Sequence, residues 1–170
     1  MYKLDQVKED AIYDFAVASL SILTPTIEVI WDKPDDDQRP PRPYLTLNIL
    51  GGPILVGDRP VKKYKELDTW TYQFKKRITL SINIFAYENH TRIMEVLLNS
   101  LCFDSKVEIL NFAGIAHWGY DGPRDMSEVR DTKWEFRSQA DIFLSYGENM
   151  DDIPKEIHKV EINGKIIDIT

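Results

Sequence analysis

Residues 70–86 read WTYQFKKRITLSINIFA, and residues 132–146 read TKWEFRSQADIFLSY. In the first stretch the even positions are Trp70, Tyr72, Phe74, Lys76, Ile78, Leu80, Ile82, Ile84 and Ala86, and all but Lys76 are apolar. Thr, Gln, Lys, Arg, Thr, Ser and Asn fill the odd positions up to Phe85. In the second stretch Trp134, Phe136, Ala140, Ile142, Leu144 and Tyr146 share one parity, and Lys133, Glu135, Arg137, Gln139 and Asp141 hold the other. Alternation with a period of two predicts β-strands with one buried and one wet face. Seventeen residues at about 3.3 Å each reach roughly 55 Å, whereas a compact domain of this size is only about 40 Å across. Such strands must either bend or extend to where another subunit covers their apolar side. Parity resumes unchanged after Lys76, so no single-residue bulge is required there; one would swap the two faces.

The rest of the chain supplies helices and a hairpin. Leu4, Val7, Ala11, Ile12, Phe15, Ala18 and Ile22 recur at helical spacing, which predicts an amphipathic helix over 4–23, closed by Thr24 and Pro25. A short strand is expected at 27–31. An exposed loop follows over DKPDDDQRPPRP at 32–43, then a strand at 44–50 stopped by Gly51, Gly52 and Pro53. Residues 54–68 read as a long loop. Ile93, Leu97 and Leu101 place a second helix over 90–103; residues 106–118 read as a strand and 119–131 as a loop, with at most a turn of helix in DMSEVRD. GENMDD and Pro154 read as a break, and Asn163-Gly164 between alternating runs as a type I′ hairpin turn. The expected fold is α+β: an antiparallel or mixed sheet with long strands, two main helices on one face and a C-terminal hairpin. It is a single domain over 1–170, with 152–170 as a hairpin extension.

Composition narrows the function classes. Hydrophobic residues make up 43% of the 170, enough for a folded core. The single cysteine, Cys102, excludes an intramolecular disulfide and is expected to be a small buried filler. No apolar run is long enough for a membrane span. The opening MYKLDQVKED lacks a signal-peptide pattern, so synthesis and assembly in the cytoplasm are expected. Residues 1–85 carry twelve basic and twelve acidic side chains, and residues 86–170 carry nine and sixteen, so the net charge of −7 lies wholly in the second half. That sign opposes phosphate-backbone binding.

A search for chemistry returns little. Asp35, Asp36 and Asp37 could ligate magnesium, but three carboxylates in a loop beside Arg39 and Arg42 are more often solvated. His90, His117 and His158 sit in no metal or nucleophile frame; His117 reads as half buried. Gly51-Gly52-Pro53 lacks the lysine and helix of a phosphate loop. VKKYK at 61–65, with Lys75, Lys76 and Arg77, reads as solvated surface or as the rim of an interface. Trp70 and Trp134 fit core and interface equally. No catalytic residue, metal or cofactor is expected. The candidate functional residues are instead those of an assembly seam: Arg39, Arg42, Lys75, Arg77, Lys133, Glu135, Arg137 and Asp141.

RPPRPYLTLNILGG, KKRITLSINIFAYE, LNFAGIAHWG and DTKWEFRSQADIFLSY, in that order, resemble the neck or tail-terminator proteins of tailed bacteriophages over about residues 5–150. The resemblance implies a non-enzymatic α+β subunit of the virion that forms a homo-oligomeric ring, usually a hexamer. Such a ring caps the tail tube, ends polymerisation and offers a surface to the head–tail connector. Tube and possibly sheath proteins are the implied partners, with DNA passing through the lumen without specific binding and no membrane involved. Two other classes fit the sequence less well: another ring-forming virion part (tube, head–tail joining or baseplate), and a small metal-dependent nuclease or hydrolase using Asp35–Asp37 and a histidine.

Overall fold

A computed structural model describes residues 4–23, 26–32, 39–57, 59–64, 70–130, 132–152, 159–162 and 165–168. Among them the order is α1 (Gln6–Leu20), β1 (Glu28–Trp31), β2 (Tyr44–Leu55), β3 (Val61–Tyr64), β4 (Trp70–Phe85), α2 (His90–Asn99), a 3₁₀ turn (Ser100–Cys102), α3 (Asp104–Phe112), β5 (Ile115–Asp125), β6 (Glu128–Arg130), β7 (Lys133–Glu135), β8 (Arg137–Asp152), β9 (Lys159–Ile162) and β10 (Lys165–Asp168). The architecture is α+β. The main sheet runs β1-β2-β4-β8-β5, with β3 also paired to β4. It is mixed, because β1 lies parallel to β2 while β2–β4 and β5–β8 are antiparallel.

Two compact units divide the chain: residues 1–56 with 75–147, and residues 57–74 with 148–170. Both long strands contribute to both units. The division in β4 falls between Phe74 and Lys75, beside the Lys76 that interrupts the apolar parity.

In the first unit the alternation is realised as expected. Ile78, Leu80, Ile82 and Ile84 of β4 and Ala140, Ile142, Leu144 and Tyr146 of β8 are buried. They form one core with Leu45, Leu47 and Ile49 of β2, Ile12 and Phe15 of α1, Met94, Leu97 and Leu98 of α2, and Leu110 of α3. All three helices therefore cover the same face of the sheet. In α1 the buried stripe is Ala11, Ile12, Phe15, Ala16, Ser19 and Leu20, whereas Val7 and Ile22 are exposed. The helix needs only one stripe against the sheet, and the outlying apolar positions of the sequence pattern fall beyond it. Thr24 and Pro25, the expected stop, lie outside the described residues.

Asp5 caps α1: its carboxylate accepts a hydrogen bond from Lys8 N at 3.0 Å and also pairs with the Lys8 ammonium. The hydrogen bond to Lys8 holds the Asp5 carboxyl below its ordinary range. A depressed folded-state value contributes stability that is present above the unfolded value near pH 4 and is lost as pH falls through the folded one. Asp5→Ala is expected to cost about 1 kcal/mol at neutral pH through the lost cap. The difference from wild type should shrink in denaturant titrations run below about pH 4.

Several expectations are corrected. Gly51-Gly52-Pro53 does not stop β2. The strand continues to Leu55 through a bulge, where the register passes from Leu50↔Thr79 to Ile54↔Arg77. Gly51 turns there at φ +67, which favours glycine. Within 54–68, β3 pairs with β4. Residues 104–112 form α3 rather than a strand: the Phe103 carbonyl accepts from Lys106 N and Val107 N, and Leu110 docks into the core. This makes three helices where two main ones were expected. β5 then runs to Asp125, and β6 and β7 form a separate hairpin in residues read as loop or as the start of the second long strand. β8 begins only at Arg137 and continues through GENMDD, which had read as a break. Cys102 is exposed, not buried. The 3₁₀ turn directs Ser100 and Leu101 inward and Cys102 outward.

In the second unit, β3 and β4 pair in the register Val61↔Gln73 to Tyr64↔Trp70. The Lys62 ammonium lies 3.9 Å from the Trp70 ring centre, and the Thr71 hydroxyl donates to Asp151 at 2.6 Å. β9 and β10 form the expected C-terminal hairpin; Asn163 and Gly164 lie outside the described residues.

Candidate assembly surface

The face of the sheet opposite the helices mixes polar and aromatic side chains, and in the first unit no described helix covers it. It is built by the alternate positions of the same strands whose partners form the core. Cross-strand pairs Tyr44↔Phe85, Thr46↔Asn83 and Asn48↔Ser81 line up on it. The Tyr44 and Phe85 rings stack with centres 4.8 Å apart. On β8, Gln139 donates to the Ser81 hydroxyl at 3.2 Å, and Asp141 accepts from Arg124 at 2.5 Å.

At one end of this face is a cavity of about 260 Å³ lined by Asp32, Arg39, Tyr44, Thr46, Asn83, Phe85, Glu135 and Arg137. Arg39 donates to Asp32 at 2.7 Å. Arg42, beside the cavity, pairs with Glu135 at 3.4 Å and faces the Tyr87 ring at 5.7 Å. Burial pushes the Tyr44 phenol above its ordinary range, opposed by the Arg39 and Arg42 charges. Arg137 has no carboxylate partner among the described residues. Its guanidinium lies 5.9 Å from the Phe85 ring centre, and its Nε is buried without a hydrogen bond. The backbone of Arg137 is fixed on both sides, by its N–H donating to the Ser127 hydroxyl at 3.3 Å and by its carbonyl accepting from Met126 N at 2.8 Å. Ser127 is itself tied to Asp125 by two hydrogen bonds, which hold that carboxyl below its ordinary range.

Of the eight residues singled out from sequence, four gather here: Arg39, Arg42, Glu135 and Arg137. The others do not. Arg77 stacks its guanidinium 3.8 Å from the Trp118 ring centre, next to Phe143. Asp141 is engaged by Arg124. Lys75 and Lys133 are exposed. Trp134, at 61% exposure, is not core; its ring stacks on Phe136, which in turn faces His90. His117 is half buried, as expected.

Sequence reasoning missed Asp32, Tyr44, Thr46, Asn83 and Phe85. The signal was present for the last two, since both lie on the wet parity of β4 beside Ser81. Trp118 was obscured because a bulge between His117 and Gly119 breaks the β5 register against β8. A second depression, of about 340 Å³, is bounded by Leu23, Ile27, Pro43, Ala86, Tyr87 and Ile93 among others. Asp35–Asp37 lie outside the described residues. Among the described residues no three His, Cys, Asp or Glu side chains are placed to hold a metal, and no helix is long and apolar enough to cross a membrane.

The fold is thus an α+β layer with one sheet face sealed by helices and the other uncovered, its arginines held by ion pairs and ring contacts, and with no metal cluster among the described residues. The family comparison gives that fold an identity. The chain belongs to the phage neck terminator protein family, whose model matches residues 9–170. It is a structural protein of the phage neck, located in the tail region of the virion. No curated protein matches the chain.

Proposed function

We propose that the chain is a tail terminator: copies close into a ring, most simply a hexamer, that caps the tail tube, stops its growth and presents a surface to the head–tail connector. The ring forms in the host cytoplasm and acts without catalysis, and DNA passes through its lumen. The observation that carries this reading is the uncovered sheet face of the first unit. Arginines and carboxylates already paired on an uncovered face, beside stacked rings, can be covered by a second subunit without leaving a buried charge unpaired, which lowers the cost of desolvating them. Membership of the neck terminator family supports the same role. The acidic excess in residues 86–170 fits a channel lining from which DNA is repelled. Native mass spectrometry of the purified protein, alone and mixed with polymerised tail tubes, tests the ring. Closed oligomers in either sample are expected; monomer alone in both would remove the reading.

A further inference from the structure

We propose, on the basis of the ring reading above, that the Arg137 cavity of one copy receives a carboxylate from α3 of the next, with Glu108 as the incoming group. Asp32 pairs with Arg39 and Glu135 with Arg42, whereas Arg137 has no carboxylate partner among the described residues, and its Nε is buried with no acceptor among them. An unpaired guanidinium at the wall of a cavity, with an aromatic ring beside it, is arranged to take a carboxylate. The cavity volume of about 260 Å³ has room for a carboxylate side chain.

The complementary surface is on the other side of the same unit. Asp104 and Glu108 are exposed at i and i+4 on α3, and neither takes part in an ion pair among the described residues. One turn further on, Phe112 is 86% exposed. An uncovered phenylalanine beside unpaired carboxylates is the composition of a contact that excludes water around a charge pair. Because α3 packs in the helical layer and the cavity opens on the opposite sheet face, the contact joins two different patches. That is a head-to-tail contact, which closes into a ring when its rotation permits.

The test uses two charge reversals in the full chain, Arg137→Glu and Glu108→Arg, each checked for folding by thermal unfolding. Each alone should weaken self-association, read by native mass spectrometry and sedimentation, by about 100-fold. An equimolar mixture should assemble again. In a ring that alternates the two variants, every cavity meets a carboxylate or a guanidinium of opposite charge. Should Arg137→Glu fail to fold, Arg137→Gln replaces it, with a smaller loss of self-association expected, of about 10-fold, and the mixing result is then read from Glu108→Arg with wild type, which should assemble better than Glu108→Arg alone. Wild-type rings together with unaffected single variants, or a mixture no better than its components, would overturn this contact and leave the ring reading standing. Wild-type protein that never oligomerises would remove both.

Discussion

Phe15→Ala is expected to lower the unfolding free energy by about 3–5 kcal/mol, the range for removing a buried aromatic side chain. Phe15 is 2% exposed and sits in α1 where that helix meets the sheet core. Its ring is held from several directions, so the structure around it can collapse only partly into the space left behind. A typical domain has about 5–15 kcal/mol of stability in all, so the variant should lie near the edge of folding at physiological temperature. Chemical denaturation should show a lower midpoint with an unchanged slope. A loss below about 1 kcal/mol would mean that α1 is not docked as described.

Gly122→Val should have the second-largest effect, at about 3 kcal/mol. Gly122 lies in β5 at φ +119, a conformation L side chains rarely adopt. A Cβ added there would stand 3.0 Å from Ala140 Cα and from the Gln139 carbonyl oxygen. The neighbours are backbone atoms of β8, which cannot move aside without disturbing the sheet. Backbone strain and overpacking each contribute about 1–3 kcal/mol. Gly52→Ala is the matched control: no atom lies within 4 Å of its added Cβ, and its φ is not in the left-handed region. It should change stability by less than about 0.5 kcal/mol. Equal losses in the two variants would show that the close approach of β5 to β8 at Gly122 does not constrain the fold.

The long strands were legible because their signal is redundant. Four alternating positions in each of β4 and β8 agree on which face is buried, and the core face from Ile78 to Ile84 followed directly from them. Local signals misled where two periods competed. Val107 and Ile109 alternate as in a strand, yet Val107 and Leu110 also satisfy a helix, and docking of Leu110 into the core decides for α3. Gly51-Gly52-Pro53 carries the chemistry of a turn, but continued pairing with β4 turns it into a bulge. The candidate site was half legible. Arg137 and Glu135 stood on the wet parity, and their residue types marked them as contacts. The cavity around them was not readable, because it is assembled from Asp32, Tyr44 and Phe85, which are distant in sequence and are brought together only by the β2–β4 register.

The carboxylates on the wet face of the sheet pair with neighbouring cations: Asp32 with Arg39, Glu135 with Arg42, Asp141 with Arg124. Such pairs at a half-exposed surface contribute little stability. They do fix side-chain positions, which the proposed contact between copies would require.

Electron microscopy of tails from a phage whose gene for this chain is deleted tests the terminator role most directly. The account predicts tails of widely scattered length, many longer than in wild type and without attached heads, with a single length restored when the gene is supplied in trans. Tails of one wild-type length in the absence of the chain would contradict it.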